Sequence, residues 1–134
     1  MFKRIVVGTD GSNTARAAVE HAVNLAKASD AEVIVATVMA KPGTSPFEGS
    51  TIELGRRILD EVKQTYGKEV ALKTKLLEGN AADEIIDLAE QQDADVIVIG
   101  NVGMTEKKRF MLGNVPNAIS HHAGRHVLIV HTGA

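Results

Sequence analysis

Two glycine-bearing segments concentrate the residues whose types and spacing suit ligand chemistry. The first is Gly8-Thr9-Asp10-Gly11-Ser12. The second is Gly100-Asn101-Val102-Gly103, followed at a distance by Gly113-Asn114-Val115, so that the glycines read Gly100-x2-Gly103-x9-Gly113. Glycine lets a backbone approach a ligand closely. A helix opening after Gly113 would present unpaired N–H groups and a partial positive charge, which suits an anion such as a phosphate. Lys107, Lys108 and Arg109 lie between these glycines. They read either as a solvated face or as counter-charge for that anion. Equally, glycines at two loop tips read as turns with no ligand at all.

Several sharper chemistries are excluded. Gly8 to Ser12 is not G-x-G-x-x-G, and the chain contains no G-x-x-x-x-G-K-[ST], so a dinucleotide oxidoreductase and a Walker-type nucleotidase lose their main support. Asp10 has no adjacent acid of the kind a phospho-acceptor aspartate requires. His121 and His122 would point about 100° apart on a helix and cannot converge on one metal. With His126 and His131 they read as surface or interface histidines, and no metal site is expected. Met104, Phe110, Met111 and Leu112 read as apolar clamps for the loop, or alternatively as a lid or partner surface. No general base stands out near the loop apart from Asp10 and Glu106, and no catalytic residue is assigned.

Composition bounds the rest. At 134 residues the chain is expected to be a single domain, residues 1–134. It has no cysteine, which removes disulfides, thiolate metal sites and thiol nucleophiles. The net charge of −2 gives no electrostatic footprint for nucleic acid. No apolar run reaches the roughly 18 residues a membrane span needs. No membrane or nucleic-acid partner is therefore expected, and the expected location is the cytoplasm.

These segments must be held by regular elements. Ile5-Val6-Val7, Val33-Ile34-Val35-Ala36, Val96-Ile97-Val98-Ile99 and Val127-Leu128-Ile129-Val130 are unbroken aliphatic runs, the signature of strands covered on both faces. Val70 to Leu77 alternates, as a strand nearer an edge would. Between them run four helical patterns. The first, capped by Ser12 or Asn13, buries Ala15, Ala18, Val19, Ala22, Val23 and Ala26. The second, about residues 51–66, puts Ile52, Ile58, Leu59, Val62 and Tyr66 on one stripe. The third follows Asn80 and buries Ala82, Ile85, Ile86 and Ala89, with Asp83 and Glu84 in its first turn. The fourth starts near Asn114 and buries Val115, Ala118, Ile119 and His122. This βαβαβαβαβ pattern predicts a three-layer α/β sandwich with a five-stranded parallel sheet. In such a sheet a ligand binds beyond the carboxyl ends of the strands, where the chain order reverses.

The same segments resemble the universal stress protein family over essentially the whole chain. Ile5-Val6-Val7-Gly8-Thr9-Asp10-Gly11-Ser12 is similar to the family's opening, Leu77-Glu78-Gly79-Asn80-Ala81-Ala82 to its link into the third helix, and Val127 to Val130 to its last strand. The glycine spacing resembles the family's ATP-binding pattern, G-x2-G-x9-G-[ST]. By analogy the strand order is 3-2-1-4-5, a Rossmann-like arrangement of the adenine nucleotide alpha hydrolase type. The resemblance implies an adenine-nucleotide site. Gly8 and Asp10 stand at positions that bracket the adenine, with Thr9 between them also counted as nucleotide-binding, and Val38 at a backbone contact to it. Ile99 and Gly100 match the ribose-side wall, and Gly103, Gly113, Asn114 and Val115 the phosphate loop.

Two positions depart from the pattern. Asn114 replaces a serine or threonine, and Pro116 offers neither a hydroxyl nor an N–H. The grip on outer phosphates is therefore expected to weaken, shifting preference from ATP toward AMP or cyclic AMP. The resemblance extends to an actinobacterial branch with cyclic-AMP-binding members. The ligand expected is ATP, AMP or cyclic AMP, with Mg²⁺ accompanying ATP. The function implied is a stress-response or signalling module without enzymatic activity of its own. The alternatives are a slow ATPase or phosphotransfer protein, and a nucleotide-free interaction scaffold. A homodimer paired through Val127 to Val130 is also implied, since an apolar terminal strand left at a sheet edge invites pairing.

Overall fold

The structure is a computed structural model and describes residues 2–39, 52–101 and 115–131. Its elements run β1 (Arg4–Gly8), α1 (Asn13–Ser29), β2 (Glu32–Met39), α2 (Ile52–Tyr66), β3 (Ala71–Glu78), α3 (Ala81–Gln91), β4 (Val96–Gly100), a helix α4 over residues 115–122, and β5 (His126–Val130). The five strands form one sheet in the order β3-β2-β1-β4-β5, every pair parallel. The expected fold class and strand order are both present.

Side chains alternate across a strand, and the continuous apolar runs fill both faces. Ile5, Val7, Val33, Val35, Val96 and Val98 pack against α1 and α2. Val6, Ile34, Ala36, Ile97 and Ile99 pack against α3 and α4. Local chemistry sets the helix starts. Ser12 Oγ accepts from the Ala15 N–H at 3.1 Å, and Asn80 Oδ1 accepts from the Asp83 N–H at 3.1 Å, each satisfying a donor left open in a first helical turn.

At the amino ends of the strands, two side chains lock the chain between regular elements. Asp95 Oδ2 accepts from the Lys3 and Arg4 N–H groups at 2.6 and 3.0 Å. The Arg125 guanidinium donates to the carbonyls of Ala94, Ala89 and Ala123 at 2.7, 3.0 and 3.3 Å. It thereby ties the α3–β4 turn to the end of α4.

Three expectations need correction. Ile52 is 54% exposed; Leu59 and Val62 of the expected stripe are buried, and Gly55 joins them on the inner face of α2. Gly55 allows that face to approach the sheet, because a Cβ there would stand 2.5 Å from Leu76 Cδ1. His122 is exposed, and Ala123 takes the inner position at the end of α4. The chain turns away at Gly124, with φ of 64°, and the imidazole lies on the solvent side. β5 is not covered on both faces. It lies at the sheet edge, and Leu128 is 39% exposed. The expectations for residues 40–51, 102–114 and 132–134 lie outside the described residues; among these are Gly103, Gly113 and Asn114 of the proposed phosphate loop and the Lys107 to Arg109 triplet.

Candidate functional site

β1 and β4 are adjacent parallel strands, with Ile5, Val6 and Val7 in register with Val96, Ile97 and Val98. The chain leaves β1 into α1 on one face of the sheet, whereas α4, before β5, packs on the other. This divergence opens a cleft between the carboxyl ends of the two strands.

The cleft is built from the tips of four elements. β1 and the turn after it supply Gly8, Thr9 and Asp10; β2 supplies Val38; β4 supplies Ile99 and Gly100; α4 supplies Val115. These seven are the predicted site residues that fall within the described chain, and the structure brings all of them to one place. Ala15, Ala36, Ala81 and Ile85 complete the walls and were not anticipated as lining residues. Ile85 carried a signal that pointed only to burial: it falls on the inner stripe of α3, and that stripe continues past the sheet core to the cleft.

The β1–α1 turn is fixed by its own polar groups. The Thr9 N–H donates to the Ala36 carbonyl at 2.8 Å, and Thr37 Oγ1 donates to the Thr9 carbonyl at 3.0 Å. The Gly11 N–H donates to Thr9 Oγ1 at 3.2 Å, and the Ser12 N–H to Asp10 Oδ1 at 2.9 Å. Gly11 has φ of 81°, a left-handed conformation that glycine adopts without the clash a Cβ would bring. One oxygen of Asp10 is therefore engaged by the turn. The other, Oδ2, is buried and has no hydrogen-bond partner among the described residues. A buried carboxylate oxygen without a donor is costly, so a ligand N–H or O–H arriving there would be favoured.

Among the described lining residues Asp10 is the sole charged group. The rest are glycine, alanine, threonine and aliphatic side chains. Such a surface suits a flat, neutral heterocycle and a sugar, and does not suit a phosphate. An anion would need backbone N–H groups, such as those at the start of α4, rather than these side chains. Just beyond β4, the Asn101 N–H donates to the Val130 carbonyl at 3.0 Å, and Asn101 Nδ2 lies 3.2 Å from His131 Nδ1. His121, His126 and His131 are exposed as expected, and His122 is exposed beside them; no cluster of metal-binding side chains occurs among the described residues. No helix among these residues is long and apolar enough to cross a membrane.

Comparison with known proteins agrees with this architecture. The model of the universal stress protein family matches residues 1–131. The universal stress protein MJ0531 of Methanocaldococcus jannaschii is 36% identical over 143 residues, which span 97% of this chain and 82% of that protein. Among solved structures, a universal stress protein in complex with cAMP superposes with a TM-score of 0.77 at 30% identity, covering 98% of this chain and 99% of the other. The universal stress protein of Archaeoglobus fulgidus in complex with dAMP gives a TM-score of 0.74 at 26% identity, covering 96% and 97%. This chain belongs to the universal stress protein family.

Proposed function

We propose that this protein is an adenine-nucleotide-binding module of cytoplasmic stress response or signalling, and that the cleft at the ends of β1 and β4 is its binding site. The observation that carries this reading is the convergence of Gly8, Thr9, Asp10, Val38, Ile99, Gly100 and Val115 on one cleft at the sheet's switch point, with Asp10 Oδ2 buried and without a hydrogen-bond partner among the described residues. A purine offers a flat face to the aliphatic walls, and donor groups on base or sugar would meet the free oxygen. The cAMP and dAMP complexes of structurally similar family members support the choice of an adenine nucleotide. Gly8, Thr9, Asp10 and Val38 would hold the base, and Ile99 and Gly100 the sugar side. Gly103, Gly113, Asn114 and Val115 would hold the phosphate. Pro116, buried near the start of α4, has no N–H to offer there. The preference therefore moves toward AMP or cyclic AMP over ATP, which would bring Mg²⁺ with it. Calorimetric titration with ATP, AMP and cyclic AMP tests both parts. Binding of AMP or cyclic AMP at least as tight as ATP is expected. Clearly tighter ATP overturns the preference, and no binding of any of the three overturns the site.

We further propose that the protein acts as a homodimer paired antiparallel through β5. That strand is a sheet edge carrying an exposed Leu128, with the His126 ring 6.0 Å from that of Phe2. An uncovered apolar edge is a pairing surface, and a two-fold axis pairs it with itself. Light scattering at micromolar concentration should give twice the mass of one chain, and a single-chain mass contradicts the proposal.

A further inference from the structure

Thr37 is a buried hydroxyl that the cleft does not expose. It is 5% exposed and lies between Ala36 and Val38, both of which line the cleft. By strand alternation its side chain stands on the opposite face of the sheet, the face on which Val33 and Val35 pack against α1 and α2. A valine would satisfy that apolar setting and the strand preference equally well. A hydroxyl buried there is unfavourable unless it is hydrogen-bonded, and its bond goes to the Thr9 carbonyl at 3.0 Å.

That bond reaches the cleft through the backbone. The Thr9 N–H is already held by the Ala36 carbonyl at 2.8 Å, so β2 fixes both backbone polar groups of Thr9. No peptide bond of the described chain is cis, and a trans peptide keeps its C=O and N–H on opposite sides. Fixing the Thr9 carbonyl therefore fixes the direction of the Asp10 N–H as well. From that anchored peptide the turn continues through Gly11 and Ser12, whose N–H groups bond Thr9 Oγ1 and Asp10 Oδ1.

We propose that Thr37 is a positioning residue of the cleft: from the far side of the sheet, its buried hydroxyl sets the β1–α1 turn and so places the Asp10 carboxylate where a ligand meets it. The consequence for binding rests on the reading of the cleft as an adenine-nucleotide site, whereas the effect on the turn stands without it.

Thr37→Val removes the hydroxyl at nearly constant shape, and Thr37→Ser keeps it. Two measurements are made on wild type and both variants: amide hydrogen exchange without ligand, and calorimetric titration with AMP and cyclic AMP. In Thr37→Val the amides of Thr9, Gly11 and Ser12 should exchange about tenfold faster, the scale of one weakened hydrogen bond, with β4 amides changed less than about twofold. Nucleotide affinity should fall about tenfold. Thr37→Ser should stay within about twofold of wild type in both measurements. The proposal is overturned by an unchanged turn, by faster exchange spread evenly over the molecule, by a serine variant as impaired as the valine one, or by unchanged affinity despite a loosened turn. Wild-type protein that binds neither nucleotide would defeat the reading of the cleft, and the exchange comparison would still decide whether Thr37 sets the turn.

Discussion

Gly8 at the tip of β1 lies against Ile85 of α3: a Cβ built on Gly8 would stand 2.7 Å from Ile85 Cδ1, with Ile99 Cδ1 at 3.0 Å. All three residues line the cleft, so a methyl group there would push two aliphatic tips toward the ligand space. Gly8→Ala should lower nucleotide affinity by about tenfold or more while costing about 1–3 kcal/mol of stability, the range for overpacking. Gly100 offers a contrast, because a Cβ there would stand 2.7 Å from Thr14 Cγ2 and 3.2 Å from the Thr14 carbonyl oxygen. Backbone yields less readily than a side-chain tip, so Gly100→Ala should destabilise more than Gly8→Ala. Denaturant unfolding and calorimetry on both variants check the ranking, and full nucleotide affinity in Gly8→Ala would contradict this map of the cleft.

Asp95 gives a pH signature at the opposite end of the sheet. The Arg4 N–H, then the Lys3 N–H, hold its carboxyl below the usual carboxylate range, against a smaller opposing effect of burial. A group whose pKa is depressed on folding stabilises above its unfolded value, and that contribution is lost as pH falls through the folded value. Asp95→Asn should therefore cost about 1 kcal/mol at neutral pH, a figure kept low because the group is partly exposed. The difference between variant and wild type should shrink once the pH drops below the ordinary aspartate value of 3.8. Urea unfolding at neutral and acid pH reads the change, and a difference that stays constant contradicts the account.

Tyr66 is the chain's single tyrosine, and the chain has no tryptophan, so near-ultraviolet titration reports it alone. Burial, then the charges of Glu20 and Glu69, raise its phenol above the ordinary value of 10.0, with Lys27 opposing. Its pKa is raised on folding, so the associated stability is present below the unfolded value and lost as pH rises through the folded one. The titration midpoint should lie above 10.0 in native protein and return to that value in denaturant. Coincident midpoints would show that the phenol is not desolvated.

Much of this was legible in the sequence, for reasons that can be named. The aliphatic runs at Ile5 to Val7, Val33 to Ala36 and Val96 to Ile99 have to be covered on both sides, which fixes a parallel sheet between helices. Ser12 and Asn80 announce helix starts because their side chains satisfy first-turn donors, and both cap as expected. The cleft residues Gly8, Asp10 and Gly100 follow from where the first and fourth strands end, whereas Val38 follows from the family resemblance. Ile85 was legible as buried but not as a wall, because a helical stripe does not reveal how far it extends beyond the sheet. Arg125 gave no signal, since its three carbonyl partners converge only when α3, β4 and α4 have packed. β5 misled in part: its unbroken apolar run resembles a central strand, but its edge position leaves Leu128 exposed. Thr37, polar within an aliphatic strand, was the kind of local inconsistency that often marks a functional position.

The central claim is that an adenine nucleotide enters the cleft at the ends of β1 and β4. Backbone amide shifts recorded by NMR during titration with cyclic AMP test it residue by residue. The account predicts saturable shifts concentrated at Gly8 to Asp10, Val38, Ile99, Gly100 and Val115, with Lys3, Arg4 and Asp95 at the opposite end of the sheet unmoved. Saturable binding that leaves Gly8 to Asp10 and Gly100 unshifted, or no shift anywhere at millimolar nucleotide, would contradict it.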